Sequence, residues 1–455
     1  MDRFEHYLNA VNSFVWGTPT LILLIGTGVW MSIVLCGIQF RVLPHALRLS
    51  FGKSKNSTTH VGDISHFQAL MAAISATVGV GNIAGVATAI ATGGPGAMFW
   101  MWCTGLVGMA TKYAEAVLSV HFRVTAADGT MSGGPMYYIS RGLGQRWMAV
   151  LFAIFTVFAS FGIGNMVQSN TIAVTLAPLN FHPWVMGGII AGATALVVLG
   201  GIKTLGNISA LLTPVMIGIY FVAVAIIIAL NIQTIPSVFT LIFVDAFTPT
   251  AAVGGFAGAT VKTAMQMGIA RGLFSNEAGL GSSPIMAAAA KTSHPAEPAL
   301  VSMLQVFIDT IIVCSLTGFA ILCTDAWKTG QNGVELTNVA FAQALGPIGR
   351  YVVSVSVVFF AYTTLISWGY FGEQALRYLI GQRGVKTYRV IFIIVVFLGA
   401  QLKINVVWTL SDIFNGLMAF PNLIALLCLT PIVLQETKHY LAYVRDISSQ
   451  TKEPL

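Results

Sequence analysis

The chain is 455 residues long, 56% hydrophobic and only 9% charged, with a mean hydropathy of +0.80. A soluble domain carries about 25% charged residues, so the composition excludes an ordinary soluble enzyme. It points instead to an all-α polytopic membrane protein with room for roughly ten to twelve helices of about 20 residues. The net charge of +7 is what basic cytoplasmic loops give, and no mixture of basic and aromatic residues argues for a nucleic-acid partner.

Residues 1–13 hold Asp2, Arg3, Glu5 and His6 and lack the basic stretch and small-residue cleavage site of a signal peptide, so the first apolar segment is expected to stay in the mature protein. Apolar runs separated by polar or Pro/Gly punctuation then predict eleven transmembrane helices within a single domain: 17–40, 67–91, 97–121, 148–176, 184–201, 206–231, 255–290, 299–324, 350–379, 387–408 and 412–434. Eleven crossings put the termini on opposite sides. Arg41, Arg48, Lys53 and Lys55 fall in the first loop, Arg123, Arg141 and Arg146 in the third, and Arg377, Arg383, Lys386 and Arg389 in the ninth. With Lys203, Lys291 and Lys438, Arg445 and Lys452 of the tail at 435–455, these belong on the cytoplasmic side, leaving Arg3, Lys328, Arg350 and Lys403 opposite. The N-terminus is expected outside and the C-terminus inside.

The span 67–91 is interrupted by Ala76-Thr77-Val78-Gly79-Val80-Gly81-Asn82. Lipid cannot satisfy freed backbone groups, so irregular backbone at mid-membrane depth persists only where it is buried in protein or lines a cavity. The span 255–290 is too long for one helix, and Gly268, Gly272, Gly279 and Gly281 are expected to break it. With 17–40 set aside as an extra N-terminal helix, ten spans divide into two sets of five, 67–231 and 255–434, whose orientations are opposite because five is odd. Each set begins with the glycine-interrupted span. Such pairing in two inverted halves is the pattern of a secondary transporter with its site at the breaks, as in LeuT-like carriers.

At the first break the backbone amides of Val80, Gly81 and Asn82, with a positive helix end behind them, suit a carboxylate. Gly79 and Gly81 let a ligand reach the backbone; alternatively they only permit close helix packing. At the second break, freed carbonyls with Ser275, Asn276 and Glu277 suit an ammonium group, although Ser275 reads equally as a helix N-cap. Glu277 is expected to pair with Arg271 across the break, the alternative being a proton-carrying role. Lys112 and Glu115, three residues apart, are expected to neutralise each other. Asp309 lies inside a span and requires polar neighbours. The segment 237–250 is expected to form an amphipathic external helix that gates the site. His45, His60 and His66 are too dispersed for a metal centre, and Cys36, Cys103, Cys314, Cys323 and Cys428 sit singly as small apolar residues.

Three strings carry a family resemblance: Gly81-Asn82-Ile83-Ala84-Gly85-Val86-Ala87, Gly93-Gly94-Pro95-Gly96-Ala97-Met98-Phe99-Trp100-Met101-Trp102, and Ser275-Asn276-Glu277-Ala278-Gly279-Leu280-Gly281. They resemble the alanine/glycine:cation symporter family over about residues 15–440. The resemblance implies a LeuT-like core, alanine or glycine as substrate, sodium (less often a proton) as coupling ion, no other cofactor, and a bacterial or archaeal plasma membrane; a monomer is compatible with it. On that basis Thr77, Gly79, Val80, Gly81, Asn82, Gln168, Ser275, Asn276 and Trp368 are expected to contact the amino acid. Gln168, in the polar patch Asn165-Met166-Val167-Gln168-Ser169-Asn170, either touches substrate or knits helices together. Trp368, one turn below Thr364, either walls the pocket or anchors at the headgroups.

Sodium favours hard oxygen ligands. Phe360-Ala361-Tyr362-Thr363-Thr364 offers a carbonyl and two hydroxyls, similar to the family's helix-eight contribution to its sodium site, which the carbonyls of Ser75 and Val78 would complete. The alternative is that the threonines bond back to their own helix. A channel would require a repeated ring of carbonyls or charges, and an intramembrane enzyme a metal motif or a catalytic pair; neither pattern is in the sequence.

Overall fold

The computed structural model describes residues 2–52, 61–402 and 405–451; Lys53, Lys55, His60, Lys403 and Lys452 lie outside them. Long apolar runs form helices because only a helix satisfies every backbone group within its own segment in lipid. The chain begins with α1 (Asp2–Val15), α2 (Thr18–Val34) and α3 (Leu43–Phe51). Ser65 and Gln68 then form a reciprocal capping box that starts α4 (His66–Thr77). After the first break come α5 (Val86–Gly93) and α6 (Ala97–His121). A two-stranded antiparallel hairpin, Val124–Thr125 with Met131–Ser132, leads into α7 (Pro135–Gly142). Next follow α8 (Arg146–Phe161), a π-helical turn at Gly162–Met166, α9 (Val167–Thr175), α10 (Pro183–Val198), α11 (Gly201–Leu230) and α12 (Ile235–Asp245).

The second half has the interrupted α13 (Val261–Asn276), then α14 (Ala296–Val306), a wide turn at Phe307–Cys314, α15 (Ser315–Cys323), α16 (Gly333–Leu345) and the long α17 (Pro347–Ile380). It closes with α18 (Arg383–Gly399), α19 (Asn405–Cys428) and α20 (Thr430–Thr451).

Among the described residues, six stretches are long and apolar enough to cross a membrane: His6–Val34, Arg146–Thr175, Gly201–Leu230, Ala296–Cys323, Pro347–Ile380 and Val407–Cys428. A seventh is the bent pair His66–Thr77 and Gly81–Gly93, whose axes differ by 53°. The expected span 97–121 is present as α6, which is long but less apolar and buries both Lys112 and Glu115. The expected spans at 184–201 and 387–408 are the shorter helices α10 and α18. The tail at 435–455 continues in α20 through Thr451, and α16 has no counterpart among the expected spans. The segment 237–250, expected as an amphipathic helix, falls mostly on α12, which ends at Asp245 and is apolar rather than amphipathic.

Of the four glycines expected to break the seventh span, only two do so. Gly279 and Gly281 have φ of +89° and +82°, a left-handed conformation that glycine adopts without a Cβ penalty. Gly268 and Gly272 lie inside α13, where they let it approach α6. A Cβ at Gly268 would stand 2.2 Å from the carbonyl oxygen of Ala97, and one at Gly272 2.2 Å from Thr104 Oγ1. Gly268→Ala is therefore expected to cost about 1–3 kcal/mol through overpacking against fixed backbone. Thermal unfolding in detergent checks this; an unchanged midpoint would contradict the close approach.

Candidate functional site

The first break begins where α4 ends: Val78 turns out of the helix at φ −71°, ψ 92°, and a π-helical turn at Gly81–Gly85 restarts it. Asn82 braces this kink. Its Oδ1 accepts from the Gly79 amide at 2.9 Å, and its own amide donates to the Gly79 carbonyl at 3.2 Å. That leaves the Val80 and Gly81 amides without a backbone or side-chain acceptor among the described residues. Both could meet a ligand carboxylate. The Gly79 and Asn82 donors are already used, which narrows the expected carboxylate cradle.

The other face of Asn82 joins the second break. Its Nδ2 donates to Asp309 Oδ1 at 2.8 Å, and it also lies 3.2 Å from the Asp309 carbonyl and 3.3 Å from Cys314 Sγ. Asp309 Oδ2 accepts from Ser275 Oγ and from Thr310 Oγ1, each at 2.9 Å. Asn276 Nδ2 donates to Thr310 Oγ1 at 3.2 Å, and the Asn276 carbonyl accepts from Gln305 Nε2 at 3.2 Å. Asp309 is fully buried, so one carboxylate ties Asn82 of the first break to Ser275 of the second. Ser275 lies in the last turn of α13 and its hydroxyl is committed to Asp309; it is not an N-cap.

The expected Glu277–Arg271 ion pair does not form. Glu277 sits in a left-handed conformation, φ +55°, just past α13, and this turns its side chain toward Ser282 Oγ at 2.5 Å and Trp368 Nε1 at 3.2 Å. Arg271 lies 5.9 Å from the centre of the Phe274 ring, and its Nε has no hydrogen-bond partner among the described residues. The cation nearest the second break is Lys112, whose Nζ donates to the Glu277 carbonyl at 2.9 Å while standing 3.8 Å from Glu115. An ammonium at the severed C-terminal end of α13 complements the helix dipole there. Glu115 Oε1 accepts from the Gly281 amide at 3.1 Å and from Asn422 Nδ2 at 2.6 Å, and Asn422 also donates to the Gly279 carbonyl at 2.9 Å. Tyr138 in turn donates to Asn422 Oδ1.

Gln168 follows the π-helical turn between α8 and α9. Its Nε2 donates to the Ile163 carbonyl at 2.9 Å, and its Oε1 is buried without a partner among the described residues. That acceptor is available to a ligand donor. Trp368 is 1% exposed and packs on Phe371 and against Gly164; a headgroup anchor would be exposed, so that alternative fails. Thr77 is buried and bonds back to its own helix, at 3.3 Å from the Ala73 and Ile74 carbonyls.

The expected sodium ligands converge only in part. Thr364 Oγ1 donates to the Ser75 carbonyl at 3.3 Å and lies so close to Gly79 that a Cβ there would come within 2.7 Å. It therefore stands beside Ser75, Val78 and the break. Thr363, one residue earlier on α17, points elsewhere: its hydroxyl bonds to the Phe360 carbonyl at 3.1 Å and lies 3.5 Å from Met216 Sδ. Adjacent helical residues diverge by about 100°, which separates the two hydroxyls. Ser75 Oγ adds contacts to Ser367 Oγ at 2.5 Å and Ser209 Oγ at 3.3 Å.

Sequence reasoning missed Thr310, Gln305, Ser282 and Asn422. The one available signal was the polar spacing Gln305-Asp309 on an otherwise apolar helix. Asn82→Leu removes the Gly79 brace and leaves Asp309 Oδ1 short of a donor. Burying an unsatisfied charged group costs about 1–3 kcal/mol or more, so the unfolding midpoint is expected to fall; a wild-type midpoint would show that Asn82 holds nothing in place.

The model of the sodium:alanine symporter family matches residues 1–453. A protein named sodium/alanine symporter AgcS, from Methanococcus maripaludis, is 48% identical over 96% of this chain and 97% of its own. An uncharacterized transporter of Haemophilus influenzae is 50% identical over 96% of both chains. A probable sodium/glutamine symporter, GlnT of Bacillus subtilis, is 35% identical over 96% of this chain and 90% of its own. Among solved structures, a manganese transporter mutant from Eremococcus coleocola shares the fold at a TM-score of 0.50 and 12% identity, covering 84% of this chain and 82% of its own.

Proposed function

Because this chain belongs to the sodium:alanine symporter family, whose members are cation-coupled amino-acid symporters of the membrane, we propose that it carries L-alanine and glycine into the cell with sodium by alternating access. In this reading the chain crosses a bacterial or archaeal inner membrane eleven times. One extra helix (17–40) precedes two inverted five-helix repeats, 67–231 and 255–434, with the N-terminus outside and the tail at 435–455 in the cytoplasm. The observation that carries the reading is the meeting of two interrupted helices at one buried carboxylate, Asp309.

The amino acid's carboxylate takes the Val80 and Gly81 amides, and its ammonium takes freed carbonyls near Thr77 and Asn276 with Gln168 Oε1. Gly79, Asn82 and Ser275 shape this site from behind, Asn82 and Ser275 through Asp309. Trp368 forms an apolar wall of the pocket and limits side-chain size. Sodium takes the Ser75 and Val78 carbonyls with Thr364 Oγ1, while Phe360 and Thr363 stand one layer further out.

Thr364→Val should raise the sodium needed for half-maximal alanine uptake in proteoliposomes at least about tenfold, the loss of roughly 1.4 kcal/mol of ion binding. Thr363→Val should change it little. Equal effects of the two variants would remove the assignment. Gly81→Ala tests the carboxylate. A Cβ there would meet Phe274 at 3.4 Å, an ordinary contact, so the variant should fold while blocking approach to the amides. Alanine binding measured by calorimetry should drop at least about tenfold; normal affinity in a monodisperse variant would mean that the break is structural only.

A proton as coupling ion is the second reading. Asp309 is fully buried, held by neutral donors, with no ion-pair partner among the described residues. Buried carboxylates in membrane segments are costly and mark ion or proton pathways. Alanine uptake driven by an imposed pH gradient in sodium-free vesicles decides between the two.

A further inference from the structure

Four histidines far apart in the sequence meet around α20. His121, the last residue of α6, places Nδ1 3.0 Å from Glu436 Oε1, and His294 places Nε2 3.5 Å from the other oxygen, Oε2. One carboxylate on α20 thus lies between two imidazoles from different parts of the chain. One helical turn further along α20, the Tyr440 hydroxyl lies 2.9 Å from His45 Nε2, and its ring packs on that of His294 with centroids 5.2 Å apart. The fourth histidine, His439, acts on His294 from α20 itself.

His294 stands at a mechanically sensitive point. It belongs to the loop that joins the second break to α14. Its Nδ1 accepts from the Ala296 amide at 3.1 Å, in the first turn of α14, satisfying one of the donors that a helix start leaves open. An accepting Nδ1 carries no proton, so the neutral ring holds its proton on Nε2, facing Glu436. A second proton can go only onto Nδ1. There it would oppose the Ala296 N–H and end the cap.

We propose that the bond from the Ala296 amide to His294 Nδ1 is a proton-operated latch on the start of α14, set beside the α20 carboxylate Glu436 that also meets the end of α6, closed with His294 neutral and released when it is protonated. The arm it grips matters. α6 carries Lys112 and Glu115, which hold the second break, and α14 leads directly to Asp309. The latch lies beyond the symport reading and requires only that this arm move.

The charged and titratable groups facing the latch are Glu436, His439 and Tyr440 on α20, His121 on α6, Glu297 on α14, and His45 with Arg48 on α3. Burial pushes His294 below the ordinary histidine value, Glu436 and Glu297 pull it up, and His439 pushes it down again; the net direction is down. Burial and Arg48 lower His45 as well, against Glu297. A histidine whose folded value lies below its unfolded value supports the folded arrangement fully above about pH 6.5 and loses that support as pH falls toward the folded value. Acid therefore opens the latch.

His294→Asn separates titration from structure. An asparagine side chain can accept from the amide two residues on yet takes no proton. Hydrogen–deuterium exchange of the first turn of α14, corrected for intrinsic rates, is measured on the full-length protein in detergent at about pH 7.5 and about pH 5.5. In the wild type, protection should fall at the lower pH, by up to about tenfold, which is a loss of up to roughly 1.4 kcal/mol in local opening. In His294→Asn it should stay level, with wild-type protection at the higher pH. Alanine counterflow in proteoliposomes, with pH equal on both faces, should show the same contrast. Level protection in the wild type, or an equal fall in both proteins, overturns the latch. A normal exchange contrast without alanine counterflow in any variant would overturn the alanine reading and leave the latch standing.

Discussion

A backbone broken in the middle of a membrane must find partners for its freed groups within the protein, and here two breaks share one solution. Asp309 receives Asn82 from the first break and Ser275 from the second on its two oxygens. Each interaction is a fully buried hydrogen bond to a carboxyl oxygen, where such bonds are strong and leaving them unmade is expensive. Movement at one break is therefore felt at the other. In the proposed function, coupling between an ion beside Ser75 and Thr364 and an amino acid at Val80 and Gly81 needs a physical link of this kind.

The second break is secured from behind as well as in front. Lys112 and Glu115 hold the backbone of Glu277 and Gly281, and Asn422 holds that of Gly279. Three side chains, two from α6 and one from α19, thereby satisfy carbonyls and amides that a continuous helix would have paired internally. The first break has fewer fixed partners: Asn82 spans the kink and Thr364 reaches the Ser75 carbonyl. This asymmetry fits a carrier in which the first break opens toward ligands while the second stays anchored.

Much of this was legible in the sequence. Composition gave the membrane class, and hydropathy located most helices, because apolar runs of this length have few other stable forms. Both breaks were visible through Gly79-Val80-Gly81 and Gly279-Leu280-Gly281. What periodicity could not supply was partner choice. Arg271 and Glu277 are near neighbours in sequence, yet a left-handed turn at Glu277 rotates its carboxylate away to Ser282 and Trp368. Lys112 and Glu115 form the expected pair, 3.8 Å apart, but each also bonds to the second break, more than 160 residues away, which their spacing does not show. Gly268 and Gly272 read as breakers because glycine has the same sequence signature whether it bends a helix or lets two helices touch. The gathering of His45, His121, His294 and His439 at α20 left no local trace at all.

The link through Asp309 is tested most directly by a double-mutant cycle. Asn82→Ala, Ser275→Ala and the double variant are compared with the wild type in alanine binding by calorimetry, at saturating sodium and without it. If the two residues act through one carboxylate, their effects on binding in sodium depart from additivity by about 0.5–3 kcal/mol. Strictly additive losses would contradict the account, because they would mean that the two breaks bind their ligands independently.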